Sequence, residues 1–372
     1  MCRIFLGICV FLGAIHAREY RTLAAPISDT GEILQGNSSC ILTDEEAVTI
    51  TISAVGDCTL GNDIKQEGYG TCFHKVYNIM GPDYFLENVR PIFQKDDLTI
   101  ANLEGVLTNL GAPSQTKTWR FQSPPEYLQI LTGSSVEAVS FANNHCRDYG
   151  EISFTDTKAN LDLYGIDYAS EDHPLVMDVK GVKVGLVALQ CAIRSPRADL
   201  AEYPDTDALA RLLKAEMDSV KEAGAQVIIV NMHWGVERQL TASPQQIALG
   251  HFAVDQGADL VIGHHPHILQ AVECYNGKYI LYSLGNFCFG GNINPPDKDT
   301  GIWQMQMKVQ DGQVTDQIAQ FIPCRLSAHT GWNDYSPVPL SGAEAQRVLD
   351  KMNRLSAPHQ VYFNEAGIAF GR

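Results

Sequence analysis

Positive charge is scarce in this sequence. Its 372 residues carry 27 Lys+Arg against 43 Asp+Glu, a formal net charge of −16 with histidine neutral. General nucleic-acid binding draws most of its affinity from a basic footprint, so that class of function is excluded. Electrostatic docking on anionic lipid is excluded for the same reason. A local cationic or metal site for an anionic substrate stays compatible with an acidic surface. Cys-x-x-Cys pairs are absent among the ten cysteines, which leaves a structural zinc knuckle without ligands. There is no internal repeat and no low-complexity tract. What remains is 45% hydrophobic, with 31 Gly and 17 Pro. That composition is ordinary for a globular chain with a large core, and it excludes disordered and collagen-like classes.

The N-terminus reads as an export signal. Arg3 supplies a positive start, and residues 4–15 form an unbroken apolar run. Ala14-Ile15-His16-Ala17 closes it with small residues at the spacing that signal peptidase accepts. The run is shorter than the ~20 residues a spanning helix needs. Residues 1–17 are therefore expected to be a signal peptide, with an uncleaved anchor as the alternative. Setting aside Cys2 and Cys9 leaves an even number of cysteines, which permits disulfides without choosing a pairing. Residues 18–45 are polar and mixed and read as a stalk. A single domain is expected over residues 46–326. A C-terminal extension, 327–372, carries a terminal helix at 340–355.

Within the domain, β-branched apolar segments alternate with helical patterns, the mark of an α/β fold. Strands are expected at 48–55, 98–102, 136–142, 226–232, 260–262 and 279–284. Helices are expected at 84–94, 152–164, 207–223 and 243–256, the last opened by the cap-and-proline pair Ser243-Pro244. Hairpins at Lys180-Gly181, Asn276-Gly277 and Asp311-Gly312 interrupt the alternation and make the sheets mixed. Asn-Gly is the signature of a tight type I′ turn.

Six of these strands stop at polar residues of metal-ligand or acid/base type: Asp57, Glu104, Asn143/Asn144/His145 with Asp148, His233, His264/His265/His267, and Asn286. In α/β sheets the crevice beyond the carboxyl ends of strands is where ligands bind. Taken singly, each has a plainer explanation. Gly-Asp after a strand is a turn signal, Asn143-Asn144 suits a helix cap, and His233 before Trp234 could be a satisfied core histidine. Gly263-His264-His265-Pro266-His267 is harder to explain so, because three histidines fall within four positions held by Gly and Pro. Their joint occurrence points to a site. An Asp/Glu/Asn/His set suits Zn, Mn, Fe or Mg, bound as one or two divalent ions. A histidine not bound to metal could act as general acid. Arg120 and Arg194 are candidate anion-binding side chains, and Trp119 and Trp234 could line a cleft or pack in the core.

At these residues the sequence resembles the bacterial CapA family, the PgsA/CapA-like capsule or poly-γ-glutamate synthesis proteins of the calcineurin-like metallophosphoesterase superfamily. The resemblance is carried by Ala54-Val55-Gly56-Asp57, Asn102-Leu103-Glu104, Ala142-Asn143-Asn144-His145 with Asp148, and His233-Trp234-Gly235 with Glu237. Gly263-His264-His265-Pro266-His267 and Tyr282-Ser283-Leu284-Gly285-Asn286-Phe287 complete it. It implies a metallophosphoesterase-like four-layer αββα sandwich of two mixed β-sheets flanked by helices. It also implies that Asp57 ligates a first metal, Glu104 stands at the bridging position, and Asn144 and His233 ligate a second. His265 and His267 would serve one ion each, His264 replacing one in another register. His145, with Asp148, would be the acid/base pair. Asn143, His264, Asn286 and Arg120 are the candidates for holding substrate. One departure stands out: where the superfamily opens with Asp-x-His, this sequence has Asp57-Cys58-Thr59. The first metal position lacks an imidazole unless Cys58 replaces it.

The expected function is that of an exported CapA-like protein of capsule or poly-γ-glutamate biosynthesis. Its action would be that of a metal-dependent hydrolase or transferase on an anionic envelope polymer or its precursor. The alternatives are a non-catalytic component that holds polymer or a membrane-bound capsule synthase complex, and a metal-dependent peptide epimerase.

Overall fold

The computed structural model describes residues 47–192 and 205–371. The expected export signal (1–17), the stalk (18–45) and Arg194 lie outside the described residues.

Two mixed sheets carry the fold. In spatial order the larger runs Val338–Pro339, Gln313–Arg325, Asp299–Gln310, Val48–Thr59, Leu98–Leu103, Ala138–Ser140 and Asp167–Ala169. Asn286–Phe289 pairs in parallel with the end of the Val48–Thr59 strand. The smaller sheet runs Val272–Tyr275, Lys278–Leu281, Leu260–His264, Val227–His233, Val182–Gln190 and Leu175–Val179. Three separate apolar clusters show how these sheets are layered. Between the sheets, Ile50, Ile52, Leu98 and Ile100 meet Leu186, Ile229, Leu260 and Ile262. The other face of the larger sheet, with Val55, Leu103 and Val139, is covered by Phe73, Phe85, Leu128 and Phe154. The other face of the smaller sheet, with Val187, Ile228 and Val230, is covered by Leu213 and Met217 of the helix Thr206–Glu222 and Leu249 of the helix Pro244–Asp255. Three apolar interfaces need four layers, and the arrangement is helix–sheet–sheet–helix.

Local chemistry accounts for most elements. Ser243 caps its helix with a side-chain bond from Gln246 N, and Gln246 returns a bond to Ser243 N, a reciprocal capping box. All three hairpins form, with Asn276 at φ 49° and Gly277 at φ 76° as a type I′ turn requires. Three expectations need correcting. The helix at 84–94 is reduced to a 3-10 turn at Pro82–Tyr84 and one turn at Arg90–Phe93. Pro91 is the cause, since its ring excludes the carbonyl four residues back and it has no N–H to offer. The strand at 279–284 ends at Leu281, after which the chain crosses from the smaller sheet to the larger. Finally, the first strand does not stop at Asp57 but continues to Thr59.

The crossing matters for the site. Asp57 N donates to Gly285 O at 2.9 Å, which fixes the crossing segment against the first strand. A Cβ at Gly56 would sit 1.9 Å from that same carbonyl oxygen, so only glycine permits the approach.

The C-terminal residues join the core. Val348, Leu349 and Met352 of the helix Gly342–Ser356 and Phe363 pack into the inter-sheet cluster. The segment is also tied down at Glu273, which accepts from His359 Nδ1 at 3.3 Å, His251 Nε2 at 3.0 Å and Tyr282 OH at 2.5 Å. Burial alone would raise the Glu273 pKa, but these hydrogen bonds outweigh it and hold the carboxyl at about 2. A carboxyl whose folded pKa lies below its ordinary value of about 4.3 stabilises the fold fully above that value. The contribution is lost as pH falls from there towards 2. Glu273→Gln should therefore cost about 1–2 kcal/mol at pH 7, allowing for solvent screening, and flatten the acid limb of stability. Urea unfolding from pH 7 to pH 2 checks this, and parallel curves for the two proteins would refute it.

Candidate metal centre

The carboxyl ends of strands from both sheets meet at one edge of the sandwich, and the polar strand-end residues converge there. Asp57 lies near the end of the first strand, and Glu104 follows Leu98–Leu103. Asn144 and His145 follow Ala138–Ser140, His233 closes Val227–His233, and His265 and His267 follow Leu260–His264. The last two take left-handed backbone conformations on either side of Pro266, at φ 93° and 59°. That local strain is held by the surrounding fold, as strain at sites commonly is.

Glu104 is the centre of the arrangement. It is fully buried, and neither carboxylate oxygen has a hydrogen-bond partner. Three imidazole nitrogens stand around Oε1 without reaching hydrogen-bond distance: His233 Nε2 and His267 Nε2 at 3.8 Å, and His145 Nε2 at 3.9 Å. Two groups of ligand atoms, each mutually within 4.8 Å, share this carboxylate. One is Asp57, Glu104 and His267; the other is Glu104, His233 and His265. Asn144 Oδ1 adds an oxygen beside the second group, 2.9 Å from His233 Nε2.

Protonation equilibria fit the same picture. Burial pushes Glu104 well above the usual carboxyl range. Burial also pushes His265 down to about 3 and His233 well below the usual imidazole range, leaving both rings neutral with free lone pairs. Burial would likewise raise Asp57, but His264 and His267 hold its carboxyl well below the ordinary value. For His267 burial works downward, yet the charges of Glu104 and Asp57 carry it up to about 10. His233 and His265 are thus neutral imidazoles beside a buried carboxyl with no donor, while Glu104 and His267 retain protons that a bound cation would displace. A divalent cation with N,O preference suits this set.

His145 stands at the edge of this cluster and is oriented from behind. Its Nδ1 lies 2.6 Å from Asp148 Oδ2, and its Nε2 faces Glu104. Asp148 is fully buried and also accepts from Phe121 N at 2.7 Å and Lys117 Nζ at 2.6 Å.

The remaining candidates make other contacts. Asn143 turns inward, giving its amide to Leu103 O at 2.7 Å and accepting from His145 N at 3.0 Å, so it shapes the turn. Asn286 is spent on His267, with Oδ1 2.9 Å from Nδ1. His264 is buried with Nδ1 3.5 Å from Asp57 Oδ1. Arg120 donates to Ser114 O at 3.0 Å, and its backbone N donates to Asp63. Trp234 packs in the helix-covered core of the smaller sheet, while Trp119 is 47% exposed. Cys58 does not replace the missing imidazole. Neighbouring residues on a strand face opposite ways, and Cys58 lies among the helix-side apolar residues, where burial lifts its thiol to about 12. Thr59 Oγ1 is buried without a partner. Among the described residues the seven cysteines are all free thiols.

Two residues escaped the sequence reading. Asn102 Nδ2 donates to Asp57 Oδ1 at 2.8 Å and orients that carboxylate. A buried asparagine in an otherwise apolar strand was the available signal. Lys117 lies in a polar loop and gave none.

Comparison with known proteins bears on the same residues. The family model for the bacterial capsule synthesis protein PGA_cap matches residues 51–291, which span the whole cluster. The chain belongs to this PGA_cap family. It is 29% identical over 284 residues to the capsule biosynthesis protein CapA of Bacillus anthracis, covering 72% of this chain and 66% of that protein. It is 30% identical over 249 residues to the PGA biosynthesis protein CapA of Bacillus subtilis, covering 64% and 63%. The match thus spans a little under two thirds of these relatives' length. Among solved structures, a 5'-nucleotidase precursor from Thermus thermophilus aligns with TM-score 0.43 and 11% identity, covering 82% of this chain and 59% of that one. The names of the two CapA relatives place them in capsule and PGA biosynthesis.

Proposed function

We propose that this PGA_cap protein is an exported, metal-dependent hydrolase or transferase acting on an anionic envelope polymer or its precursor. The carrying observation is Glu104, a fully buried carboxylate with no donor, shared by two ligand groups and faced by a histidine that belongs to neither. Burial without a donor pushes this carboxyl well above its usual range, an arrangement a mere scaffold has no reason to carry.

Asp57, Glu104 and His267 would hold one divalent ion, and Glu104, His233 and His265 with Asn144 a second. Such ions supply Lewis acidity, charge neutralisation and an activated water. The chain's own groups do the rest. Asp148, which can only accept, keeps the proton of His145 on Nδ1 and turns Nε2 toward the cluster. From there the imidazolium form, its charge met by Asp148, can hand its Nε2 proton to a departing oxygen or nitrogen and be left as the Nδ1–H tautomer. Asn102 and Asn286 hold the Asp57 carboxylate and the His267 ring in place.

A non-catalytic, polymer-holding role is favoured by one observation only: Thr59 stands where an imidazole would complete the first ligand group. Metal content by plasma mass spectrometry, on full chain purified without chelator, is the discriminating experiment. One or two ions per chain, together with metal-dependent cleavage of poly-γ-glutamate or a chromogenic phosphodiester, is the expected result. A chain that takes up no Mn or Zn even when supplied would overturn the enzyme reading and leave the holding role.

A further inference from the structure

We propose that Lys117 is a positioning residue whose ammonium fixes the tautomer and orientation of His145. The inference rests on the reading above, in which His145 faces the substrate. Asp148 has no exposure to solvent, and its carboxylate takes three donors. Oδ2 accepts from Phe121 N and from His145 Nδ1, at 2.7 and 2.6 Å, and Oδ1 accepts from Lys117 Nζ at 2.6 Å. Without the third donor, one oxygen of a buried anion would be left unpaired. The carboxylate would then be free to turn about its own bond, and Oδ2 would no longer be aimed at the ring. With it, both oxygens are committed and Nδ1 must be the protonated nitrogen.

The placement of Lys117 supports the role. Its loop is built onto the turn it controls. Ala112 N donates to Tyr149 O at 3.2 Å and Ser114 N to Asp148 O at 2.8 Å. Gly111 lies at φ 102°, where a Cβ would come within 2.2 Å of Tyr149 O. Lys117 Nζ also donates to the backbone carbonyl of Asn144. One ammonium therefore ties together both ends of the turn 144–148. That turn presents Asn144 Oδ1 to His233 and His145 Nε2 to Glu104. An ordinary surface ion pair would join two exposed side chains. Here the partner is fully buried and Lys117 is itself two-thirds covered, with side-chain exposures of 0% and 32%.

The test compares Lys117→Met and Lys117→Arg with the natural chain, all labelled with 15N-histidine and kept free of added metal. Long-range 15N–1H spectra report the tautomer of each ring, and the His145 signal is assigned by its loss in His145→Gln. The natural chain and Lys117→Arg are expected to show His145 as a single Nδ1–H tautomer. In Lys117→Met that pattern should give way to an averaged one. In the cleavage assay, kcat should fall about 10–100-fold in Lys117→Met, the range typical of groups that orient a site residue, with KM little changed and partial rescue in Lys117→Arg. If Lys117→Met does not fold, Lys117→Ala, which likewise removes both the donor and the charge, gives the same readout. An unchanged His145 tautomer in the charge-free variant would overturn the proposal. The spectra need no activity, so they decide the role of Lys117 even if no cleaved substrate is found.

Discussion

Glu104→Gln should abolish divalent-metal binding in both ligand groups at once while leaving the fold intact. Glutamine has the same shape, so packing is preserved. The anionic oxygen common to both groups is replaced by an amide, which is a poor ligand for a hard cation. Metal content should fall to below about a tenth of the natural level, since a ligand shared by two ions counts for more than an orienting residue worth 10–100-fold. His267→Ala, by contrast, removes a ligand from the Asp57 group alone and should spare the ion held by His233 and His265. Thermal stability should separate the effects further. Ligand at 100 times its dissociation constant stabilises a protein by about 2.7 kcal/mol, so adding Mn or Zn should raise the melting temperature of the natural chain by several degrees. The same addition should leave Glu104→Gln unmoved. Without metal the order should invert, because the variant no longer buries a carboxylate whose two oxygens lack donors. Full metal content in Glu104→Gln would sink the shared-carboxylate arrangement.

How much of this was legible in the sequence depended on what kind of force decides each feature. Strands such as Val227–His233 are buried on both faces, so they read as unbroken apolar runs, and the polar residue ending each one was conspicuous. Asn276-Gly277 dictates its own turn. Convergence was harder to see. That Asp57 from one sheet and His267 from the other stand 3.1 Å apart follows from packing the two sheets face to face, which no local pattern encodes. Asn286 was visible as a polar strand end, but its service to His267 depends on the chain changing sheets after Leu281. The face occupied by Cys58 follows from alternation once Asp57 is placed inward, but the strand had to be known to continue past Gly56. Lys117 was invisible because a lysine in a polar loop looks solvated, and only the tertiary contact with Asp148 shows otherwise.

His145→Gln is the variant expected to separate chemistry from metal binding. Its ring belongs to neither ligand group, and Nε2 lies 3.9 Å from Glu104 Oε1, close enough to serve a substrate at the cluster. Metal content should therefore stay at the natural value. Turnover should drop about 10²–10⁴-fold, the contribution usual for a positioned proton donor. KM should change little, because glutamine preserves much of the volume and the amide can still hydrogen-bond. A substrate with a leaving group that needs no protonation, such as a nitrophenolate, should lose far less rate than the natural polymer. That contrast identifies proton delivery as the lost function, since a distorted site would slow both substrates alike. Asp148→Asn should show the same contrast more weakly, because it keeps the ring in place but lets the wrong nitrogen carry the proton. If His145→Gln cleaves polymer at a rate within a few-fold of the natural chain, the proton donor is not His145. The turn that holds it would then serve the fold and the second ligand group alone.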